Sequence, residues 1–126
     1  MTGVNKAIIM GNLGSDAELR YSQGSQAVAN FRVATSKKWT SKDGTAREET
    51  QWHSVVWWGK GAEACSPYLK KGKPVYVEGE IQYRKFTGKD GQERHITEIR
   101  ANEVKLLGGG EQSKQDYAHE DGDLSL

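Results

Sequence analysis

A chain of 126 residues, 35% hydrophobic and 28% charged, has room for one domain with a modest core, and its low apolar content leaves part of it outside any packed interior. It holds no run of about 18 apolar residues, no secretory pattern at its start and only one cysteine, Cys65, which excludes a disulfide framework and fits a reducing, cytoplasmic setting. The net charge of +1 hides an asymmetry, because Glu111, Asp116, Glu120, Asp121 and Asp123 against Lys114 put −4 on residues 108–126 and leave +5 on residues 1–107.

In chain order, Val4–Gly11 is an apolar run that reads as a strand buried on both faces. The polar stretch after it, with Gly14 and Gly24, reads as a loop. Ala27–Lys37 alternates, with Ala29, Phe31, Val33 and Thr35 on one face and Asn30, Arg32 and Ser36 on the other. Trp39–Glu49 is charged throughout and contains Asp43-Gly44, so it predicts an exposed turn or hairpin loop. Gln51–Gly59 is the third strand. Gly61–Lys71 is the one helical stretch, with Ala62, Cys65 and Leu69 as its apolar stripe. Pro67 fits poorly inside it, so Ser66-Pro67 predicts a break into two short turns, with Gly72 ending the element. Pro74–Lys85 is the fourth strand, in which Gly79 permits a bend or close approach. Asp90-Gly91 marks a turn. In the fifth strand, Glu93–Leu107, the apolar parity shifts between Ile99/Ala101 and Val104/Leu106, which predicts a bulge near Ala101–Glu103.

Three strands, a short helix, then two strands is the order of a five-stranded Greek-key barrel of the OB type, all-β with its helix between strands 3 and 4. A β-sandwich would want about seven strands. Residues 1–107 form this domain, and residues 108–126 read as a flexible acidic tail.

All four tryptophans, Trp39, Trp52, Trp57 and Trp58, fall within one short window. Even spacing puts Trp52 and Trp58 on the same face of the third strand. Lys37, Lys38, Lys60, Lys70, Lys71 and Lys73 flank the window. Flat rings among cations are what base stacking and phosphate neutralisation require. A strand tryptophan is more often core than ligand platform. For Trp52 and Trp58 the shared face and the cations outweigh that rule. Trp57, opposite Trp58 in the pleat, goes to core or subunit contact. Cys65 reads as a small buried apolar side chain.

The residues resemble the bacterial single-stranded DNA-binding proteins across nearly all of residues 3–107. The resemblance rests on Val4-Asn5-Lys6, Gly11-Asn-Leu-Gly14, Arg20-Tyr21, Val28-Ala29-Asn30, Ala34-Thr35-Ser36, Trp52-His53, Gly59-Lys60, Lys71-Gly72, Val75-Tyr-Val-Glu-Gly79 and Arg84-Lys85. It implies an OB-fold homotetramer that binds and protects single-stranded DNA in replication, recombination and repair, in a cytoplasmic, nucleoid-associated setting. The implied stacking aromatics are Trp39, Trp52, Trp58 and Phe86. The family often carries Phe where Trp58 stands and Trp where Phe86 stands, and both exchanges keep a flat ring. The implied phosphate-binding cations are Lys60, Lys71, Arg84, Lys85 and Arg20. His53 matches a histidine at the family's subunit interface, and Trp57, by its place in the pleat rather than by the resemblance, is the second candidate for such a contact. The family's tail docks replication and repair proteins. Here that role falls to Asp121, Asp123, Leu124 and Leu126, although the family's Pro-Phe ending is missing.

Two other classes fit less well. An enzyme would need a motif, yet Gly11-Asn-Leu-Gly14 lacks the Gly-Lys-Ser/Thr ending of a P-loop. Cys65, His53 and His95 have no metal-ligand spacing. No cofactor, metal, catalytic residue or membrane contact is therefore expected. A protein- or sugar-binding barrel is the other alternative, since the fold alone does not fix its ligand; quenching of tryptophan emission by oligo(dT), and not by a sugar or peptide, separates the two.

Overall fold

Alternation along two long strands sets the centre of the molecule. In the computed structural model, which describes residues 2–108, β1 spans Ala7–Leu13, β2 Glu18–Tyr21, β3 Ala27–Thr40 and β4 Ala46–Trp58. A six-residue helix, α1, covers Lys60–Cys65, and a 3-10 turn covers Ser66–Tyr68. β5 runs over Pro74–Thr87 and β6 over Glu93–Leu106. Antiparallel β3 and β4 stay in register from Val28↔Trp58 to Thr40↔Ala46. Paired residues share a face, so Ala29, Phe31 and Val33 meet Trp57, Val55 and His53 on the inner side.

The strands follow the order β1-β5-β6-β4-β3-β2, and an added β1–β3 pairing closes five of them into a barrel. β3 makes closure possible by its length. Near its start it holds β2, at Glu18↔Asn30 to Tyr21↔Ala27. Further along, at Leu13↔Val33, it holds β1. Ile9, Leu13, Phe31, Val33, Val55, Trp57, Val75, Val77, Ile99 and Leu69 fill the interior. Two glycines let backbones cross closely. A Cβ on Gly11 would stand 2.1 Å from the Ala34 carbonyl oxygen, and one on Gly79 equally 2.1 Å from that of Arg100. The register slips beside Gly79, where Glu78 pairs Glu103 but Gly79 pairs Ala101, leaving Asn102 as the extra residue of a bulge. The parity shift predicted that bulge. Pro67 likewise ends α1 as expected: the chain passes into the 3-10 turn with the proline in its first positions.

Three expectations need correcting. The first strand is not buried on both faces. Ile9 is inside, but Ile8 and Met10 are 57% and 63% exposed, because only one side of β1 meets the barrel core. The stretch between residues 13 and 27 is not all loop, since β2 pairs with β3 there. Residues 39–49 are mostly strand, and the turn is confined to the segment around Gly44, whose φ of 84° suits glycine. Among the described residues no helix is long and apolar enough to cross a membrane.

Candidate nucleic-acid interface

The register that builds the core also assembles the opposite, outer face. On β4 that face carries Trp52, Ser54, Val56 and Trp58, which pair with Ala34, Arg32, Asn30 and Val28 of β3. Arg20 of β2 pairs Val28 and so joins it. Across the parallel β4–β6 contact, Val56 pairs Arg100. From β6 the same side continues into β5 through Gln82↔Glu98, Arg84↔Ile96 and Phe86↔Arg94. Five of the sequence-predicted residues, Arg20, Trp52, Trp58, Arg84 and Phe86, thus share one sheet face.

Their exposure differs. Trp52 is 54% exposed and Phe86 42%. Trp58 is half-buried. The Trp52 ring lies over Gly14, where a Cβ would stand 2.2 Å from its Cζ3, so the glycine is what lets the indole lie down on the barrel. The Arg84 guanidinium sits 6.0 Å from the Phe86 ring centroid, a cation–π arrangement.

Trp39 is 42% exposed but stands elsewhere. It pairs Arg47 and shares the parity of Val33, which puts it on the other side of the β3–β4 ribbon from Trp52. Lys37 Nζ lies 5.7 Å from its ring. Lys85 pairs His95 and points away from Arg84 and Phe86. Lys60 opens α1, and Lys71 lies in the turn before β5; both are exposed. That basic turn is anchored. Asp16 Oδ1 accepts the Lys71 backbone N–H at 2.9 Å, and its carboxylate meets Lys70 Nζ at 3.7 Å. The Lys71 amide, assisted by Lys70, holds the Asp16 carboxyl below its ordinary value.

Trp57, which the pleat assigns to core or subunit contact, is 9% exposed in a single chain and lies in the core. A Cβ on Gly61 would stand 3.0 Å from its Cζ2, so the ring packs under α1. Its odd position on β4 points it inward with Val55. His53 shares that parity near the barrel rim, where its Nε2 lies 2.9 Å from Thr35 Oγ1. It lines an open hollow of about 490 Å³ together with Ile8, Trp52, Ile81 and Tyr83. Cys65 is half-buried against the core, close to the buried position expected. Asp121, Asp123, Leu124 and Leu126 lie outside the described residues.

Two features escape the sequence. Glu98 is 3% exposed, and its Oε1 accepts both Arg84 Nε at 2.6 Å and Gln82 Nε2 at 3.1 Å. Only the β5–β6 register, which sets Gln82 opposite Glu98, could have revealed this. Tyr83, 75% exposed, is a further open ring. Its parity matches that of the buried Val75 and Val77, so alternation alone does not mark it as exposed. Among the described residues no group of three or more His, Cys, Asp or Glu could hold a metal ion.

Residues 4–107 match the model of the single-strand binding protein family. The chain is 48% identical over 107 residues to a single-stranded DNA-binding protein of Xylella fastidiosa, covering 85% of this chain and 65% of that one. A protein of the same name from Neisseria meningitidis is 47% identical over 119 residues, covering 94% and 68%. One from Xanthomonas axonopodis is matched over 59% of its length, so the shared part spans less than two thirds of both it and the Xylella protein. Among solved structures, a Plasmodium falciparum SSB in complex with ssDNA superposes with a TM-score of 0.77 at 27% identity, over 86% of this chain and 98% of that one. A deletion mutant of the Thermus aquaticus single-stranded DNA binding protein gives 0.74 at 31% identity, over 85% and 52%.

Proposed function

The chain belongs to the single-strand binding protein family, and from that premise we propose that it binds single-stranded DNA regardless of sequence and shields it during replication, recombination and repair. The observation that carries this reading is the open indole of Trp52 on a sheet face that also bears Phe86 and the guanidiniums of Arg20, Arg32, Arg84 and Arg100. An unpaired base offers a π-face to such a ring, and stacking contributes about 1–3 kcal/mol without choosing among bases. The cations neutralise phosphates and release counterions. Duplex DNA hides its base faces, so strand selectivity follows from the rings themselves. Trp39 and Lys85 extend the surface to the other side of the two ribbons, so a strand reaching all of them passes around a sheet edge. On this reading the protein is a binding protein of the cytoplasm, without catalysis, cofactor or metal.

Titration with oligo(dT) is expected to quench tryptophan emission strongly, with an affinity that falls as salt rises, while an oligosaccharide or neutral peptide leaves emission unchanged. Absence of quenching by oligo(dT) would remove the proposal.

Self-association follows from the apolar side chains that the closed barrel leaves outside. Ile8, Ile81 and Tyr83 are each at least 37% exposed around one hollow, an apolar opening that a lone soluble domain rarely shows, and Met10 of β1 is 63% exposed as well. With His53 at the same hollow, a second copy of the chain is the fitting cover, and a homotetramer is the assembly proposed. Sedimentation at micromolar concentration should show a species several times the mass of one chain; a monomer would contradict it.

A further inference from the structure

Arg32 was read from the sequence only as an outward-facing strand residue, and the register gives it a more specific place. It pairs Ser54, next to the Ala34↔Trp52 pair on the same face. Its carbonyl accepts the Gly14 amide at 3.0 Å, and Gly14 is the residue on which the Trp52 ring rests. The exposed Arg32 side chain therefore leaves the sheet beside that ring. Three other arginines are committed: Arg84 to Glu98 at 2.6 Å, Arg94 to Asp90 at 2.8 Å and Arg47 to Asp43 at 3.9 Å. Arg32 has no side-chain partner among the described residues. Arg20 and Arg100 are also unpaired, but neither stands beside Trp52 in the register.

A second observation points to a ligand at the same spot. Asn30, the next residue of β3 on this face, holds its Nδ2 out of solvent with no hydrogen-bond partner. An unsatisfied buried donor carries a desolvation cost that a ligand oxygen would relieve. Arg32, Asn30 and Ser54 line one groove of about 440 Å³ together with Asp16, Glu18 and Glu98. The three carboxylates limit where an anion can sit. Glu98 is already paired with Arg84 and Asp16 with Lys70, and Glu18 faces Asn30 across β2–β3. The Asn30 end thus disfavours phosphate and suits a neutral acceptor, whereas the Arg32 end, beside Trp52, suits an anion.

The geometry points to a nucleotide subsite that continues from the Trp52 platform: the Arg32 guanidinium holds a phosphate of the stacked nucleotide, and Asn30 Nδ2 donates to a neutral oxygen of the adjoining base or sugar. This rests on the single-strand binding proposed above. The fork of an arginine matches phosphate in two hydrogen bonds, which a lysine cannot reproduce.

The test is a fluorescence titration of the whole chain with oligo(dT) over a range of salt, comparing the unmodified protein with Arg32→Gln and Arg32→Lys. Arg32→Gln is expected to weaken binding about threefold to tenfold at low salt. It should also lower the magnitude of the slope of log K against log salt by about 0.7, the value for one single-strand phosphate. Arg32→Lys should keep the slope and recover only part of the affinity. If the unmodified protein binds and Arg32→Gln matches it in affinity and slope, the subsite is refuted and strand binding stands. If the unmodified protein does not bind, both readings fall together.

Discussion

Trp57→Ala is expected to destabilise the domain by about 3–5 kcal/mol, the range for emptying a buried aromatic position. The ring is almost wholly inside, clustered with Phe31, Val55, Leu69 and Ala62, and it presses on Gly61 of α1. Its loss opens a cavity between sheet and helix that the barrel cannot collapse to fill, because β3, β4 and β6 are pinned by their pairings on that side. Domains of this size are stable by only about 5–15 kcal/mol, so the variant sits close to unfolding. A urea melt followed by far-UV circular dichroism reads the change as a lower midpoint with an unaltered slope. A loss below about 1 kcal/mol, outside the range for core aromatics, combined with a change in sedimentation would move Trp57 to the other of its two expected roles, the subunit contact.

The choice between core and subunit contact for Trp57 shows where a sequence stops informing. Period-two alternation was enough to find β3, β4, β5 and β6, because each has an apolar side facing a common interior. The bulge at Asn102 was legible because it shifts that parity within one strand. The helix break was legible because proline cannot continue a helix. Side chains beyond the barrel rim were not legible. Ile81 and Tyr83 keep the parity of Val75 and Val77, yet β5 runs past the core, so the same side becomes surface. Ile8 and Met10 looked buried for the opposite reason: an apolar run does not say how many neighbours will cover it. β2 is only four residues long and has no apolar rhythm, so it exists only through its pairing with β3. At the candidate site, Trp52 and Trp58 sharing a face followed from spacing alone. The joining of Arg84 and Phe86 to that face, and the place of Arg32 beside Trp52, needed cross-strand register, which no single segment encodes. Arg84 also gained a buried partner, Glu98, which the same cross-strand register brings to it.

Trp52→Ala should behave as the inverse of Trp57→Ala: nearly unchanged in a urea melt and much weaker in binding. Trp52 sits on the solvent side of β4 with more than half of its surface open, so truncation removes little core packing. It does remove the broadest platform on the outer face. At about 1–3 kcal/mol per stacked base, oligo(dT) affinity is expected to fall roughly five- to 150-fold, since each 1.4 kcal/mol is tenfold. The salt dependence should persist, because the cations that set it are untouched. Gly14→Ala provides an independent check that leaves the indole in place. The added Cβ would stand 2.2 Å from Trp52 Cζ3, so the ring has to lift from its seat and lose the orientation that a base stacks against. A smaller loss of the same sign is expected there, again with the salt slope kept. If both variants fold and both bind oligo(dT) as the unmodified chain does, the Trp52 ring is surface packing over Gly14, and the bases stack elsewhere.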